Sequence, residues 1–465
     1  MRQSEALAIL DAGANVFLTG APGAGKTYVL NQFVRGARKR GKSVAVTAST
    51  GIAATHIDGQ TIHSWSGVGV ETVLTEGLLK LIRTRRRSKI RATDILVIDE
   101  VSMMHAWLFD MVDQVCRRLR NDERPFGGLQ VVLSGDFFQL PPVAASGRNR
   151  DVVPPSPEWL LDRQRYAARG LDPDGFVTES FAWGELAPTI CYLDEQHRQD
   201  DGRLLGVLTD IREGRVNDAD RDLLLTRLGR RPEPGAQAVT LFPVNRQADQ
   251  LNDRRLAQID AEPHVFRATG SGPKHLVERL QRNMLAPDTL TLKEGAEVMA
   301  VRNDQDHQYV NGSLGTVVSF ADERKGGWPV VRFENGHTVT MRPADWEMTD
   351  GESVLAAVSQ VPLRCAWAIT IHKSQGMTLD SAVMDLSRTF APGMGYVALS
   401  RVERLDGLFL AGVHERMFLV SDDAVRLDGE LRARSDAAAA QLAELGAGAF
   451  GPYEEADEFG QGELF

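Results

Sequence analysis

The chain of 465 residues is poor in cysteine, with only Cys116, Cys191 and Cys365, far apart in sequence. No pair has the spacing of a disulfide framework or a thiolate metal site. The ten histidines form no H-x-x-H cluster, so no structural metal is expected. Long apolar runs are missing too. Nothing approaches the roughly 18–20 residues of a membrane span. The first apolar stretch, Val16-Phe17-Leu18, does not read as a signal peptide, because cleavage there would destroy the glycine-rich loop behind it. These absences point to a cytoplasmic protein. No repeat of solenoid period is present. Net positive charge is also lacking, with a total of −10. Half of that deficit lies beyond residue 430, where seven acids outnumber two arginines. A local basic run, Arg83-Thr84-Arg85-Arg86-Arg87-Ser88-Lys89-Ile90-Arg91, stands against it. Alone, such a run reads as a solvated helix face.

What is present is ordinary globular material, 43% hydrophobic and 25% charged, long enough for two or three domains. Up to residue 189, short β-branched runs (15–19, 43–47, 95–99, 129–134) alternate with helical patterns. Near-continuous apolar strands between helices predict a parallel sheet covered on both faces. Residues 144–180, rich in Pro, Arg and Asp, read as a surface insertion. A second α/β set spans 190–429, with strands at 238–243, 383–386 and 408–412. Inside it, 296–363 turns to alternating strand patterns broken by Gly, Asn and Asp, which predicts a small antiparallel β-barrel. From 430 to 465 a short helix and a disordered acidic tail are expected.

Gly20-Ala21-Pro22-Gly23-Ala24-Gly25-Lys26-Thr27 carries the chemistry. It follows an apolar strand and opens an apolar-periodic helix, the context a P-loop requires. The glycines let successive N–H groups turn inward around phosphates, and the helix N-terminus adds its positive end. Lys26 is placed to neutralise the terminal phosphates, and Thr27 to ligate Mg2+. Ile95-Leu96-Val97-Ile98-Asp99-Glu100 ends a buried strand in two carboxylates. Asp99 suits the metal, and Glu100 suits activation of water. In Gly135-Asp136-Phe137-Phe138-Gln139-Leu140-Pro141-Pro142, Gln139 has the chemistry to sense a terminal phosphate. The guanine-reading N-K-x-D motif is missing, which favours ATP, and Gln3 is placed to read an adenine edge.

These motifs resemble, in order, those of the Pif family of DNA helicases, on the RecD-like branch of superfamily one. The resemblance extends through Thr47–Ala54, Gly59–Ser64, Asp99–Val143, Leu193–Gln199, Thr370-Ile371-His372-Lys373-Ser374-Gln375-Gly376-Met377-Thr378 and Tyr396–Val402. It covers about residues 1–420. It implies an α/β fold of two RecA-like P-loop domains, with ATP between them and single-stranded DNA across their tops. The inserted barrel and disordered acidic tail complete that expected fold class. The resemblance further implies that Arg198 and Arg401 reach the γ-phosphate from the second domain and that Gly376 lies at the nucleotide. An arginine that engages only on closure couples charge stabilisation to domain movement.

Thr50, Gly51, Thr61, His63, Ser64, His372, Lys373 and Ser374 are groups that track phosphates without reading sequence. Phe137, Phe138 and Trp65 are candidates for base stacking, with core packing as the even alternative. The family's 5′ to 3′ polarity is implied as well, in replication, recombination or repair. Residues 65–91 occupy the place of its strand-separating element, where Arg83–Arg91 would meet the duplex of a fork. A protein-stripping translocase with the same motor, and a clamp-tethered scaffold, are the competing readings. The last residues, Gln461-Gly462-Glu463-Leu464-Phe465, match the Q-x-x-L-F peptide with which bacterial proteins dock on the DNA sliding clamp, through Gln461, Leu464 and Phe465. The motor is expected to be a monomer.

Overall fold

A computed structural model of the chain describes residues 1–57, 59–69, 71–142, 157–195, 202–233, 238–304, 308–309, 311–350 and 353–451. The first domain is built on six parallel strands: β1 (Val16–Gly20), β2 (Val44–Ala48), β3 (Gln60–Thr61), β4 (Ile95–Asp99), β5 (Gln130–Ser134) and β6 (Thr189–Leu193). Their order is β3-β2-β4-β5-β1-β6. All five residues of β1 and the first four of β4 are buried. Helices on both faces explain why those strands read as unbroken apolar runs. Every motif of the first domain leaves the sheet at the carboxyl end of a strand, the edge where open α/β sheets bind ligands.

The second domain has four parallel strands, in the order Ala368–Thr370, Val239–Phe242, Ala382–Asp385, Leu408–Gly412. Inserted in it is an antiparallel unit, but its ladders do not close into the expected barrel. Five strands run in the order Thr338–Thr340, Pro329–Phe333, Leu314–Phe320, Glu297–Ala300, Leu363–Cys365. Among the described residues the two outer strands do not pair, so the sheet is open. Two small ladders flank it. The unit has its own apolar core, including Leu292, Val298, Val317, Val331, Phe333 and Leu363.

The chain beyond residue 430 also departs from expectation. Asp422–Leu445 is one continuous helix. It lies back on the first domain, where Ser435 Oγ accepts from the Tyr192 amide at 2.9 Å. Leu431, Ala438 and, just beyond the helix, Phe450 are buried. An alanine-rich segment reads as weakly amphipathic, and its partner is an edge strand distant in sequence. Residues 452–465, including Gln461, Leu464 and Phe465, lie outside the described residues. Part of the expected surface insertion is packed too. The helix Pro157–Ala167 is held by a hydrogen bond from the Tyr166 hydroxyl to Asp110. No described helix is long and apolar enough to cross a membrane.

The domains share one core. A continuous apolar cluster runs from Phe17 and Leu133 through Phe138 and Leu140 to Leu204, Val207, Tyr396 and Leu399 of the second domain.

Candidate nucleotide site and strand path

Gly25 caps the helix Lys26–Lys39 in the left-handed conformation, with φ of 86°. A Cβ there would run into the amide of Gln3, so glycine is required on steric as well as conformational grounds. Gln3 donates from Nε2 to Ala24 O at 3.1 Å, which seats it against the phosphate loop. Lys26 Nζ donates to Gly20 O at 2.7 Å and Ala21 O at 3.2 Å. Its ammonium lies folded into the loop it would leave for a phosphate. Burial lowers its pKa, while Asp136, Glu100 and Asp99 oppose that. Thr27 is exposed one residue on.

β4 delivers both carboxylates to the same cleft. Asp99 Oδ1 accepts from the Glu100 amide at 2.9 Å, and burial raises its pKa. Glu100 sits at φ 53°, ψ 45°. This left-handed backbone is rare for a glutamate and is found where surrounding structure holds strain at a functional position. Burial and the neighbouring Asp99 push its carboxyl up to about 7. A base with that value is poised for proton transfer near neutrality. Gln139 is buried, and its Oε1 has no hydrogen-bond partner. A buried acceptor left without a partner fits a site built to receive a further polar group.

The second domain closes the cleft. Gln375 Nε2 donates to Glu100 Oε2 at 3.0 Å. Arg401 is buried and donates to Val397 O at 2.8 Å, Met377 O at 3.0 Å and Ser400 Oγ at 2.7 Å. Its charge still stabilises ionised Glu100. Gly376 is exposed beside Gln375. Arg198 lies outside the described residues.

The strand-path candidates divide. Thr50 and Thr61 cap helices, with Oγ1 accepting from Ala53 N at 3.2 Å and Ser64 N at 3.3 Å. Gly51 and Ser64 are exposed, and His63, His372 and Lys373 are half-buried. Burial lowers the pKa of both histidines, which favours neutral rings. Ser374 is a correction: it is fully buried and its hydroxyl donates to Ile371 O at 2.8 Å, so it offers nothing to a phosphate. The aromatic candidates are corrected as well. Phe137 packs between Phe17 and Phe176, at centroid distances of 5.2 and 4.9 Å. Phe138 lies under the Arg212 guanidinium at 4.3 Å. Trp65 has no exposed surface. All three are core, and none shows a base a free face.

With this geometry in hand, comparison with known proteins is decisive. Residues 3–159 match the model described as "PIF1-like helicase", and residues 275–320 match "DNA helicase Pif1, 2B domain". The ATP-dependent DNA helicase Pif1 of Psychrobacter sp. (strain PRwf-1) is 38% identical over 89% of this chain and 68% of its own length. The chain belongs to the PIF1-like helicase family. As a Pif1-like enzyme it is an ATP-dependent DNA helicase, hence a hydrolase. The crystal structure of Pif1 from Candida albicans is 32% identical and superposes with a TM-score of 0.79, covering 92% of this chain and 98% of that one. A Bacteroides Pif1 in complex with ADP-AlF3 and ssDNA is 28% identical with a TM-score of 0.68, covering 92% and 96%.

Two residues of the Pif1-like site had no assigned role in the sequence. Gln375 lies inside a quoted motif, and only its hydrogen bond to Glu100 reveals it. Arg212 ends a helix in no motif at all. Its Nη1 donates to Asp136 Oδ1 and Oδ2 at 2.8 and 2.7 Å and to the Tyr396 hydroxyl at 2.7 Å. Its Nη2 donates to the Tyr192 hydroxyl at 2.7 Å. No local pattern announces such an arginine, since its partners come from three distant segments.

Proposed function

We propose that this helicase hydrolyses ATP in the cleft between its two domains, whose boundary falls after β6 rather than at the expected residue 189, while moving 5′ to 3′ along single-stranded DNA. The observation that carries the reading is the hydrogen bond from Gln375 to Glu100, which joins a second-domain loop to the water-activating carboxylate. The Gly20–Thr27 loop binds the phosphates, Gln3 holds the adenine edge, and Lys26 exchanges its loop carbonyls for phosphate oxygens. Thr27 and Asp99 would hold Mg2+, which supplies charge neutralisation between the phosphates. Glu100 takes the proton of the attacking water. Gln139 senses the terminal phosphate through its orphaned side chain. Arg401 leaves its backbone carbonyls to meet developing charge, with Arg198 as its partner from the neighbouring motif, and Gly376 gives the loop freedom to follow. Thr50, Gly51, Thr61, His63 and Ser64 grip the strand on one domain, and His372 and Lys373 on the other. The exposed Arg83, Arg85, Arg87 and Arg91 of the helix Glu76–Ala92 suit a fork's duplex backbone.

Both halves of the cleft lie on one chain, which suits a monomeric motor; its proposed place of action is nucleoid DNA in the cytoplasm. Its polarity is tested with forked duplexes bearing a 5′ or a 3′ tail. Unwinding is expected only from the 5′ tail, and activity confined to the 3′ tail overturns the direction. The terminal Gln461, Leu464 and Phe465 suit an apolar pocket on the sliding clamp. Deleting 461–465 should abolish clamp binding; unchanged binding removes that partner.

A further inference from the structure

Among the described residues only two aromatic side chains are exposed, Tyr28 at 63% and Phe390 at 57%. Tyr28 follows the phosphate loop. Phe390 lies elsewhere, on the loop after the strand Ala382–Asp385, at the same edge of the second sheet as the short helix Ile371–Ser374 that carries His372 and Lys373. Its ring is nearly parallel to the His372 imidazole, with an interplanar angle of 21° and centroids 6.3 Å apart. An exposed phenyl ring offers a flat face against which a second ring can stack. The neighbouring lysine and neutral imidazole suit a polyanion that also presents flat faces.

We propose that Phe390 is a base-stacking residue of the strand path, receiving a nucleobase of single-stranded DNA against its ring beside His372. The inference rests on the DNA-translocase reading above and adds to it the aromatic platform that Trp65, Phe137 and Phe138 do not provide. Stacking on an aromatic ring is indifferent to base identity, as a translocating motor requires. The position also links the strand to the nucleotide. Three residues on, Gly393 has φ of 78°, and a Cβ there would lie 2.6 Å from Phe138 O and 2.7 Å from Gln139 O. Gly393 opens the helix Met394–Leu399 that leads to Arg401. A base arriving at or leaving Phe390 therefore pulls on a short segment that abuts the phosphate sensor and precedes the arginine.

The test compares the unsubstituted protein and Phe390→Ala for binding to an oligothymidine, and to the same backbone with abasic sites. A lost stack weakens binding of the base-bearing strand by about tenfold. The Ala variant should lose that factor on oligothymidine and lose little on the abasic strand. Phe390→Trp should restore it. Because the side chain is exposed, its removal opens no cavity, and an unchanged melting temperature confirms folding. An equal loss on both strands, or none on either, overturns the stacking role. Failure of the unmodified protein to bind either strand would instead overturn the DNA-translocase reading.

Discussion

Glu100 pairs a strained backbone with a carboxyl pushed up to about 7 by burial and by Asp99. Both features oppose stability and both serve chemistry. The folded state holds this proton more tightly than the unfolded chain, whose glutamate titrates near 4.5. The proton-linked stability is therefore complete below the unfolded value and is lost as pH rises through about 7. Glu100→Gln should raise the melting temperature more at about pH 8 than at about pH 5, and should lower hydrolysis by at least about 100-fold. Calorimetry at the two pH values, with a phosphate-release assay, checks both. At this scale the sequence was legible where a residue's place follows from its own motif. Asp99 and Glu100 meet the Gly20–Thr27 loop at one cleft, where both carboxylates act on the Lys26 ammonium. It was illegible where the role depends on which way a side chain turns. Phe137, Phe138 and Ser374 occupy motif positions but face the core, and a motif string carries no such direction.

Elements tell a related story. Buried parallel strands announce themselves because both faces are covered, so β1, β4 and β5 fall within a residue or so of the apolar runs. The helix Asp422–Leu445 does not, because its stability comes from docking on β6. The Tyr192 amide lies on the open side of that edge strand, and Ser435 satisfies it. Ser435→Ala leaves a buried donor without an acceptor, at a cost of about 1–3 kcal/mol. Better helix propensity returns only about 0.5 kcal/mol. Net destabilisation in urea, with faster hydrogen exchange at the Tyr192 amide, is the expected outcome. The open antiparallel unit was misjudged for a comparable reason. Alternating patterns specify strands and faces, but closure depends on whether the two outermost strands meet.

Across the whole molecule the domains are joined by a buried polar node as well as by apolar packing. Arg212 and Tyr396 from the second domain surround Asp136 of the first, and Tyr192 and Asp428 complete the ring. Removing one member of a buried ion pair strands the other, at about 3–5 kcal/mol. Arg212→Gln should lower stability by that order in urea unfolding. Combined with Asp136→Asn the loss should fall short of the sum of the two single losses. Strict additivity would show that the pair does not act as a unit.

The backbone passes between the two domains at two places, once after β6 and again along the helix Asp422–Leu445. A body tethered at one point can swivel in any direction. One tethered at two points keeps a single easy rotation, about the line through them, as a door does on its hinges. The second domain thus stays at high effective concentration beside the first throughout the cycle. Any relative movement of the domains is thereby confined to a turn about that line.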